Sequence, residues 1–256
     1  EAVCGWQKRR NGWEIDKSKI SFSLGVVPTL SSIVEIFTEP GDKVLDLCAA
    51  PGGKSTALAA KLQGEGFLLS NDISASRCKP LLKNMEMAGV KNSVITCESP
   101  EKLAGRFAGY FDKILVDAPC SGEGMFRREP SMVKSWSPEE VERYAKLQRE
   151  ILSVVWKYVK PGGRLIYSTC TINKEENTEN ARWIAENLPF KQEDLTEAFP
   201  LKGEKFESLK KSAYPGADLK KGQIQILPGI YPFEDFDGFF ISVFKVKPSE
   251  RNMKLS

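Results

Sequence analysis

Lys43-Val-Leu-Asp-Leu-Cys-Ala-Ala-Pro-Gly-Gly-Lys-Ser55 runs from a short apolar strand through a turn of small residues into the alanine-rich helix Ser55–Leu62. A strand that enters a glycine turn and then a helix is the opening unit of an open α/β sheet. In such sheets ligands bind at the carboxyl ends of the strands. Small residues let the backbone approach a ligand, and the free amides at the helix start favour a negative group.

Downstream the alternation continues. Gly66–Ser70 reads as a strand, and a helix follows over about Ser74–Ala88, with Pro80 inside it predicting a kink or a late start. Ser93–Cys97 and Lys113–Val116 are the next strands. Ser137-Pro-Glu-Glu140 combines a serine N-cap, proline at the first helical position and glutamate three residues after the cap. Val141, Tyr144, Leu147, Ile151, Val154, Val155 and Tyr158 then recur at helical spacing and are expected to form the core face. Pro161-Gly-Gly163 turns the chain into a strand over Arg164–Ser168, and Glu175–Leu188 reads as a helix with Glu175 and Glu176 at its positive end.

Strand–helix alternation predicts a parallel sheet covered on both faces. Gln223–Leu227 and Phe239–Val246 are strand-like with no helix between them, which predicts an antiparallel edge. Residues 200–222 are lysine-rich and expected to be a surface loop. The expected organisation is an N-terminal extension over residues 1–40 packed on a catalytic domain over 41–256.

The chain has 256 residues, of which 41% are hydrophobic and 28% charged, as in an ordinary globular protein. No apolar run reaches the length of a membrane span, and no signal-peptide pattern opens the chain. Six cysteines without a CxxC pair argue for reduced thiols and a cytoplasmic location. Histidine is absent, which excludes Ser-His-Asp and Cys-His catalysis and every histidine-containing zinc site; no metal is expected. The net charge of +3 neither requires RNA nor excludes it.

Two thiols stand apart. Cys120 ends Ile114-Leu-Val-Asp-Ala-Pro-Cys and Cys170 ends Leu165-Ile-Tyr-Ser-Thr-Cys, each after a run that reads as a buried strand. Thiols delivered to the ligand-binding rim, one of them beside Asp117, point to covalent chemistry. Cys4, Cys78 and Cys97 are read instead as inert, buried packing residues.

The glycine loop admits two ligands. A phosphate-binding P-loop needs GxxxxGK[ST]; Gly53-Lys54-Ser55 match its end, but Cys48 stands where its first glycine belongs. Ile114-Leu-Val-Asp117 would then imitate the acidic strand of an ATPase. The other ligand carries adenosine and a carboxylate. Asp72, twenty residues beyond Gly52 at the end of the second strand, is placed to accept hydrogen bonds from ribose hydroxyls, or else caps a helix.

Asp46–Ser55, Asp117–Gly122 and Ser168–Thr171 together resemble the Nop/Sun family of RNA cytosine-5 methyltransferases. The string Asp117-Ala-Pro-Cys-Ser-Gly-Glu-Gly-Met-Phe-Arg127 is most similar to its bacterial ribosomal-RNA members, and the likeness extends to Asp237-Gly-Phe-Phe-Ile241. The resemblance implies a Rossmann-like class I S-adenosylmethionine-dependent methyltransferase with a seven-stranded, mostly parallel sheet and an antiparallel edge. It also implies S-adenosylmethionine as methyl donor, RNA (ribosomal RNA in particular) as partner, and a monomer. By the family pattern Cys48, Ala49, Ala50, Pro51, Gly52, Gly53 and Lys54 line the donor, Asp72 holds its ribose, and Arg77, Glu98 and Asp117 lie near donor or target base. The family places the nucleophile at Cys170 with Cys120 assisting product release, whereas a Pro-Cys nucleophile of the DNA cytosine methyltransferase kind would nominate Cys120; spacing alone leaves this open. The resemblance departs at Phe22–Ser31, where the family's glutamine is missing, and near Leu227-Pro-Gly-Ile230, where its histidine is missing. Lys8, Arg9, Arg10, Arg127 and Arg128 are candidate phosphate contacts, and Trp6, Trp13 and Trp136 candidate stacking partners for bases. Two other functions remain at this point: a P-loop ATPase, and a module that binds donor or RNA without turnover.

Overall fold

The computed structural model describes residues 38–195, 221–227 and 237–247. The expectations for the N-terminal extension, Cys4, Phe22–Ser31, Leu227-Pro-Gly-Ile230 beyond its first residue, the loop over 200–220, and the basic and tryptophan residues before position 14 lie outside them.

The described chain runs β1 (Lys43–Asp46), α1 (Gly53–Leu62), β2 (Phe67–Asn71), α2 (Ala75–Met87), β3 (Ser93–Thr96), α3 (Pro100–Ala104), β4 (Phe111–Asp117), two short 3-10 turns, α4 (Pro138–Val155), β5 (Val159–Thr169), α5 (Thr178–Asn187), β6 (Phe190–Gln192), β7 (Gln223–Ile226) and β8 (Phe239–Val246). The sheet order is β3-β2-β1-β4-β5-β8-β6, with β7 also on β8. Pairing is parallel from β3 through β5 and antiparallel where β8 joins. The expected seven strands are eight, because the outermost position is shared. β7 pairs with Phe239–Ser242 of β8 and β6 with Phe244–Val246.

Adjacent residues in the central strands face opposite sides, so each strand feeds two cores. Val44, Leu68, Leu115 and Ile166 join Leu58, Leu62, Leu81 and Met85 beneath α1 and α2. Leu45, Leu69, Ile114, Val116, Leu165 and Tyr167 join Leu152, Val155, Ala181 and Ile184 beneath α4 and α5. Near-continuous apolar runs are the signature of strands buried on both faces.

Three local expectations change. α2 runs unbroken through Pro80. The proline removes one bond, to the Ser76 carbonyl, while burial of Leu81 and Met85 holds the following turns in place. Pro161-Gly-Gly163 does not precede β5 but bulges within it, as the register moves from Phe111↔Val159 to Lys113↔Arg164. Third, the helix at Glu175 starts later, with Asn177 as N-cap, which leaves Glu176 in a loop and fully buried.

On α4 the Ser137 cap forms as expected, its side chain accepting from Glu140 N. The buried face is Val141, Ala145, Gln148, Leu152 and Val155, with Tyr144, Leu147, Ile151 and Val154 at its margin. Leu152→Ala is therefore expected to cost ~2–5 kcal/mol in urea unfolding. Leu147→Ala should cost roughly 1 kcal/mol or less, and equal losses would place Leu147 on the core face instead.

Candidate active site

The register of β4 and β5 builds the site. Asp117 pairs with Ser168 at the strand ends, and Ala118 N donates to the Ser168 carbonyl 2.8 Å away. Extending both chains by two or three residues brings Cys120 Sγ to 3.1 Å from Cys170 Sγ. Cys170 N also donates to Cys120 Sγ at 3.3 Å. Both thiols are half-buried.

Beside the thiols, Lys54 Nζ forms an ion pair with Asp117 Oδ2, while Ser168 Oγ donates to Asp117 Oδ1 at 2.9 Å. Burial disfavours charge on Lys54, but the attraction and hydrogen bond of Asp117, with further attraction from Asp46 and Cys170, more than offset it and raise its pKa. The ammonium is thus held by Asp117.

The loop Cys48–Lys54 crosses the ends of β1 and β2. Gly52 caps α1 with φ +112, a conformation open to glycine. A Cβ there would lie 3.1 Å from Leu81 Cδ1. Ala49 N donates to Asn71 O at 2.8 Å and Ala50 N to Asp72 Oδ2 at 3.3 Å. Arg77 Nη2 reaches across from α2 to donate to Ala50 O at 2.8 Å, and its guanidinium lies 3.6 Å from Asp72. Asp72 is buried, and its Oδ1 accepts from Ser74 N at 3.0 Å. The N-cap of α2 is Ser74, so Asp72 braces the turn before the helix without capping it.

Glu98 is placed through its backbone. Asn71 Nδ2 donates to Glu98 O, and Glu98 N donates to Asn71 Oδ1, at 3.0 and 3.1 Å. The Glu98 carboxylate points to the surface and pairs with Lys102.

Asp46, Asp72 and Asp117 converge on the loop. Burial pushes the Cys48 thiol well up, and the charges of these three carboxylates push it further. Asp46 is fully buried; Ser55 Oγ donates to its Oδ2 at 2.6 Å, and among the described residues its Oδ1 has no partner. Burial raises Asp46 to about 7, with the Ser55 hydrogen bond and Lys54 opposing.

A second polar group lies behind the Cys120 loop. The Glu176 carboxylate accepts from Ser121 N (3.1 Å), Gln148 Nε2 (2.7 Å) and Asn173 Nδ2 (2.7 Å). Gln148 Nε2 also donates to Pro119 O at 2.8 Å. Glu123 accepts from Thr171 Oγ1 through one carboxylate oxygen and from Trp136 Nε1 through the other. Gly124 N donates to Cys170 O and Gly238 N to Gly124 O, so Gly238 meets the Cys120 motif through the backbone. A Cβ on Gly124 would lie 2.0 Å from Gly238 O.

The structure thus gathers Cys120, Cys170, Asp117, Lys54, Cys48, Ala49, Ala50, Pro51, Gly52, Gly53, Asp72 and Arg77 around one rim, with Glu98 contributing main chain. Arg128 pairs with Asp237 at 3.4 Å, and Trp136 is partly exposed. Cys97 is exposed and Cys78 half-buried, contrary to the expectation of buried packing. Cys97 follows the end of β3, the sheet edge that no further described strand covers. Sequence reasoning missed Glu176, Gln148 and Asn173. Gln148 had a signal, since it shares the helical face of Val141, Ala145, Leu152 and Val155; Glu176 had none, as an acid at an apparent helix start is ordinary.

Among the described residues no group of three or more His, Cys, Asp and Glu side chains is arranged to hold a metal ion. No helix among them is long and apolar enough to cross a membrane.

Residues 35–245 match the profile of the family described as 16S rRNA methyltransferase RsmB/F. The chain is 40% identical over 203 residues to Ribosomal RNA small subunit methyltransferase F of Escherichia fergusonii, covering 78% of this chain and 39% of that protein. For the protein of the same name from Cronobacter sakazakii the identity is 39% over 203 residues, with the same coverage. The chain thus spans about 39% of the length of these curated relatives. The crystal structure of NSun6 from Pyrococcus horikoshii with SFG superposes with a TM-score of 0.70 at 27% identity, over 87% of this chain and 52% of that one. A methyltransferase homolog protein from Pyrococcus horikoshii shares the fold, with a TM-score of 0.66 at 24% identity over 90% of this chain and 73% of that one.

Asp46 generates a pH prediction. Its folded pKa lies above its unfolded value, so from about pH 4 to about pH 7 the native state holds a proton that the unfolded state has lost. Stability of the free protein should therefore fall as pH rises through that window, by up to ~1.4 kcal/mol per pH unit, and then level off. Urea midpoints measured from pH 5 to 8 should show this slope in wild type and a flatter one in Asp46→Asn; identical slopes would contradict it.

Proposed function

As the chain belongs to the 16S rRNA methyltransferase RsmB/F family, we propose that it transfers a methyl group from S-adenosylmethionine to C5 of a cytosine in RNA, most specifically ribosomal RNA, through a covalent bond from Cys170 to C6. The observation that carries this reading is the pair of thiols 3.1 Å apart at the ends of β4 and β5, next to the Lys54–Asp117 ion pair. Two nucleophilic atoms at one reaction centre suit a reaction that must both form and break a bond to the same base.

The loop fits the donor better than a polyphosphate. Three carboxylates converge on it, and Lys54, which would have to reach a phosphate, is engaged by Asp117. A sulfonium and an α-ammonium suit that field, whereas a triphosphate would be repelled. Gly52, with φ +112 and Leu81 packed 3.1 Å from where a Cβ would stand, keeps the loop free of a side chain at that turn. Cys48–Lys54 would hold the methionine and adenosine parts, with Asp72 at the ribose and Arg77 bracing the loop. When bound, S-adenosylmethionine supplies an electrophilic methyl group.

Cytosine C5 is a poor nucleophile until something adds at C6. The Cys170 thiolate adds there, and the electrons of the C5–C6 double bond make C5 enamine-like and able to take a methyl group. The Lys54 ammonium, held by Asp117, is also attracted by the Cys170 sulfur. Asp117 has spare lone pairs on each oxygen and accepts a hydrogen bond from the exocyclic N4–H of the base, fixing it in place. For release, a solvent water takes the C5 proton, the electrons of that C–H bond re-form the C5–C6 double bond, and the C6–S bond breaks with its electron pair leaving on the Cys170 sulfur as thiolate. The Cys120 thiol, in contact with that sulfur, donates a hydrogen bond to it as it departs. The base has to be unstacked to reach this rim, which favours loops and single strands of RNA. The reaction belongs to a cytoplasmic protein.

Labelled S-adenosylmethionine and ribosomal RNA lacking the modification provide the test. Wild type should produce 5-methylcytosine and Cys170→Ala none. Cys120→Ala should accumulate a protein–RNA adduct that survives denaturation. Asp117→Asn should lower the rate ~10²–10³-fold. Donor binding with no transfer to any RNA would leave a binding module, and normal product release by Cys120→Ala would overturn the division between the thiols.

A further inference from the structure

Glu176 takes no part in the chemistry above, yet it is fully buried and hydrogen-bonded to the backbone of Ser121, the residue next to Cys120. Each of its oxygens accepts from two donors. Oε1 receives Ser121 N and Asn173 Nδ2, and Oε2 receives Ser121 N and Gln148 Nε2. A protonated carboxyl would have to donate to one of these groups, and all of them are donors, so the arrangement selects the ionised form. Burial pushes the other way and raises the Glu176 pKa, with the bonds from Ser121, Asn173 and Gln148 opposing it.

The network around Glu176 is itself anchored. Asn173 Oδ1 accepts from Glu176 N at 2.8 Å, and Tyr167 Oη lies 2.6 Å from the Glu176 carbonyl oxygen. Asn180 Nδ2 donates to Gln148 Oε1 at 2.8 Å, and Arg149 Nε donates to Asn180 Oδ1 at 2.6 Å. The carboxylate therefore cannot swing toward solvent without breaking several bonds in a buried site. Through Ser121 N and, by way of Gln148, the Pro119 carbonyl, it grips the residues on both sides of Cys120.

We propose that Glu176 is a positioning residue that seats the Cys120 loop and keeps the Cys120 sulfur a protonated thiol, reserving the thiolate for Cys170. The groups around the Cys120 sulfur are anionic or neutral. Cys120 faces the Glu176 carboxylate from the α5 side, Tyr167 from β5, and the Cys170 sulfur itself. Lys54 of α1 is attracted by Asp117 first and then, more weakly, by Asp46 and the Cys170 sulfur. Hydrogen bonding to Cys170, burial and the charge of Glu176 all push the Cys120 thiol up. A neutral Cys120 is what product release requires, because only a thiol can donate to the departing sulfur.

The catalytic meaning of this bias rests on the cytosine-methylation reading, while the protonation bias itself needs no RNA. The test is thiol alkylation by iodoacetamide from pH 6 to 10, with Cys120 and Cys170 resolved in separate peptides by mass spectrometry. In wild type Cys170 should react at lower pH than Cys120. Glu176→Gln should bring Cys120 reactivity up ~10-fold at pH 8, the gain in thiolate that follows when a thiol titrates one pH unit lower. Cys170 should change little, and Glu176→Asp should restore much of the wild-type order. Cys120 reacting first in wild type, or at an unchanged rate in a folded Glu176→Gln protein that still binds S-adenosylhomocysteine, would overturn the proposal. If Glu176→Gln does not fold, the wild-type order and Glu176→Asp decide. Absence of methyl transfer with the thiol order as expected would sink the functional reading and leave this one standing.

Discussion

The parallel pairing of β4 with β5 is the constraint on which the rest depends. The two cysteines are separated by fifty residues of chain, and only the register Asp117↔Ser168 puts their sulfurs in contact. A shift of one residue would turn one of them to the opposite face of the sheet. The register is held from both sides. Ile114, Val116, Leu165 and Tyr167 are buried against α4 and α5, while Leu115 and Ile166 face the other layer. β8 closes the far edge of β5 with a ladder from Arg164↔Lys245 to Thr169↔Phe240. The antiparallel edge thus fixes the strand that carries Cys170, and the chain just before it touches the Cys120 motif through Gly238 and Gly124.

Charge is distributed around this frame with a consistent sense. On the loop side, Asp72 and Asp117 pair with Arg77 and Lys54, with the buried Asp46 behind them. On the α4–α5 side, a single carboxylate, Glu176, is sealed in by neutral donors. Between them stand two thiols 3.1 Å apart, with the Lys54–Asp117 pair on one side and Glu176 on the other. Burial strengthens both influences, since a charge in a low-dielectric site acts more strongly than in water.

Much of this was legible in the chain. The glycine loop, the strand-ending cysteines and the Ser137 cap each have a local physical cause, and each forms where that cause predicts. The apolar runs Val44–Leu45, Leu68–Leu69 and Ile114–Val116 announce strands buried on both faces. What was hidden depends on partners distant in sequence. The outer strand position is shared by β6 and β7 because both find β8, which no local pattern encodes. The core face of α4 is rotated toward Gln148 because Glu176 and Tyr167 offer that amide hydrogen bonds; an apolar-only reading of periodicity leaves such a residue out. Glu176 looks like a helix-dipole partner until the helix is seen to begin after it.

The central claim is that Cys170, not Cys120, bonds to the base. It is tested most directly with RNA in which cytidine is replaced by 5-fluorocytidine, whose C5 fluorine cannot leave as a proton does, so the covalent species persists in the wild-type protein. Proteolysis and mass spectrometry of the trapped complex should find the nucleotide on the peptide containing Cys170, with Cys120 unmodified. A nucleotide attached to Cys120 would contradict the account.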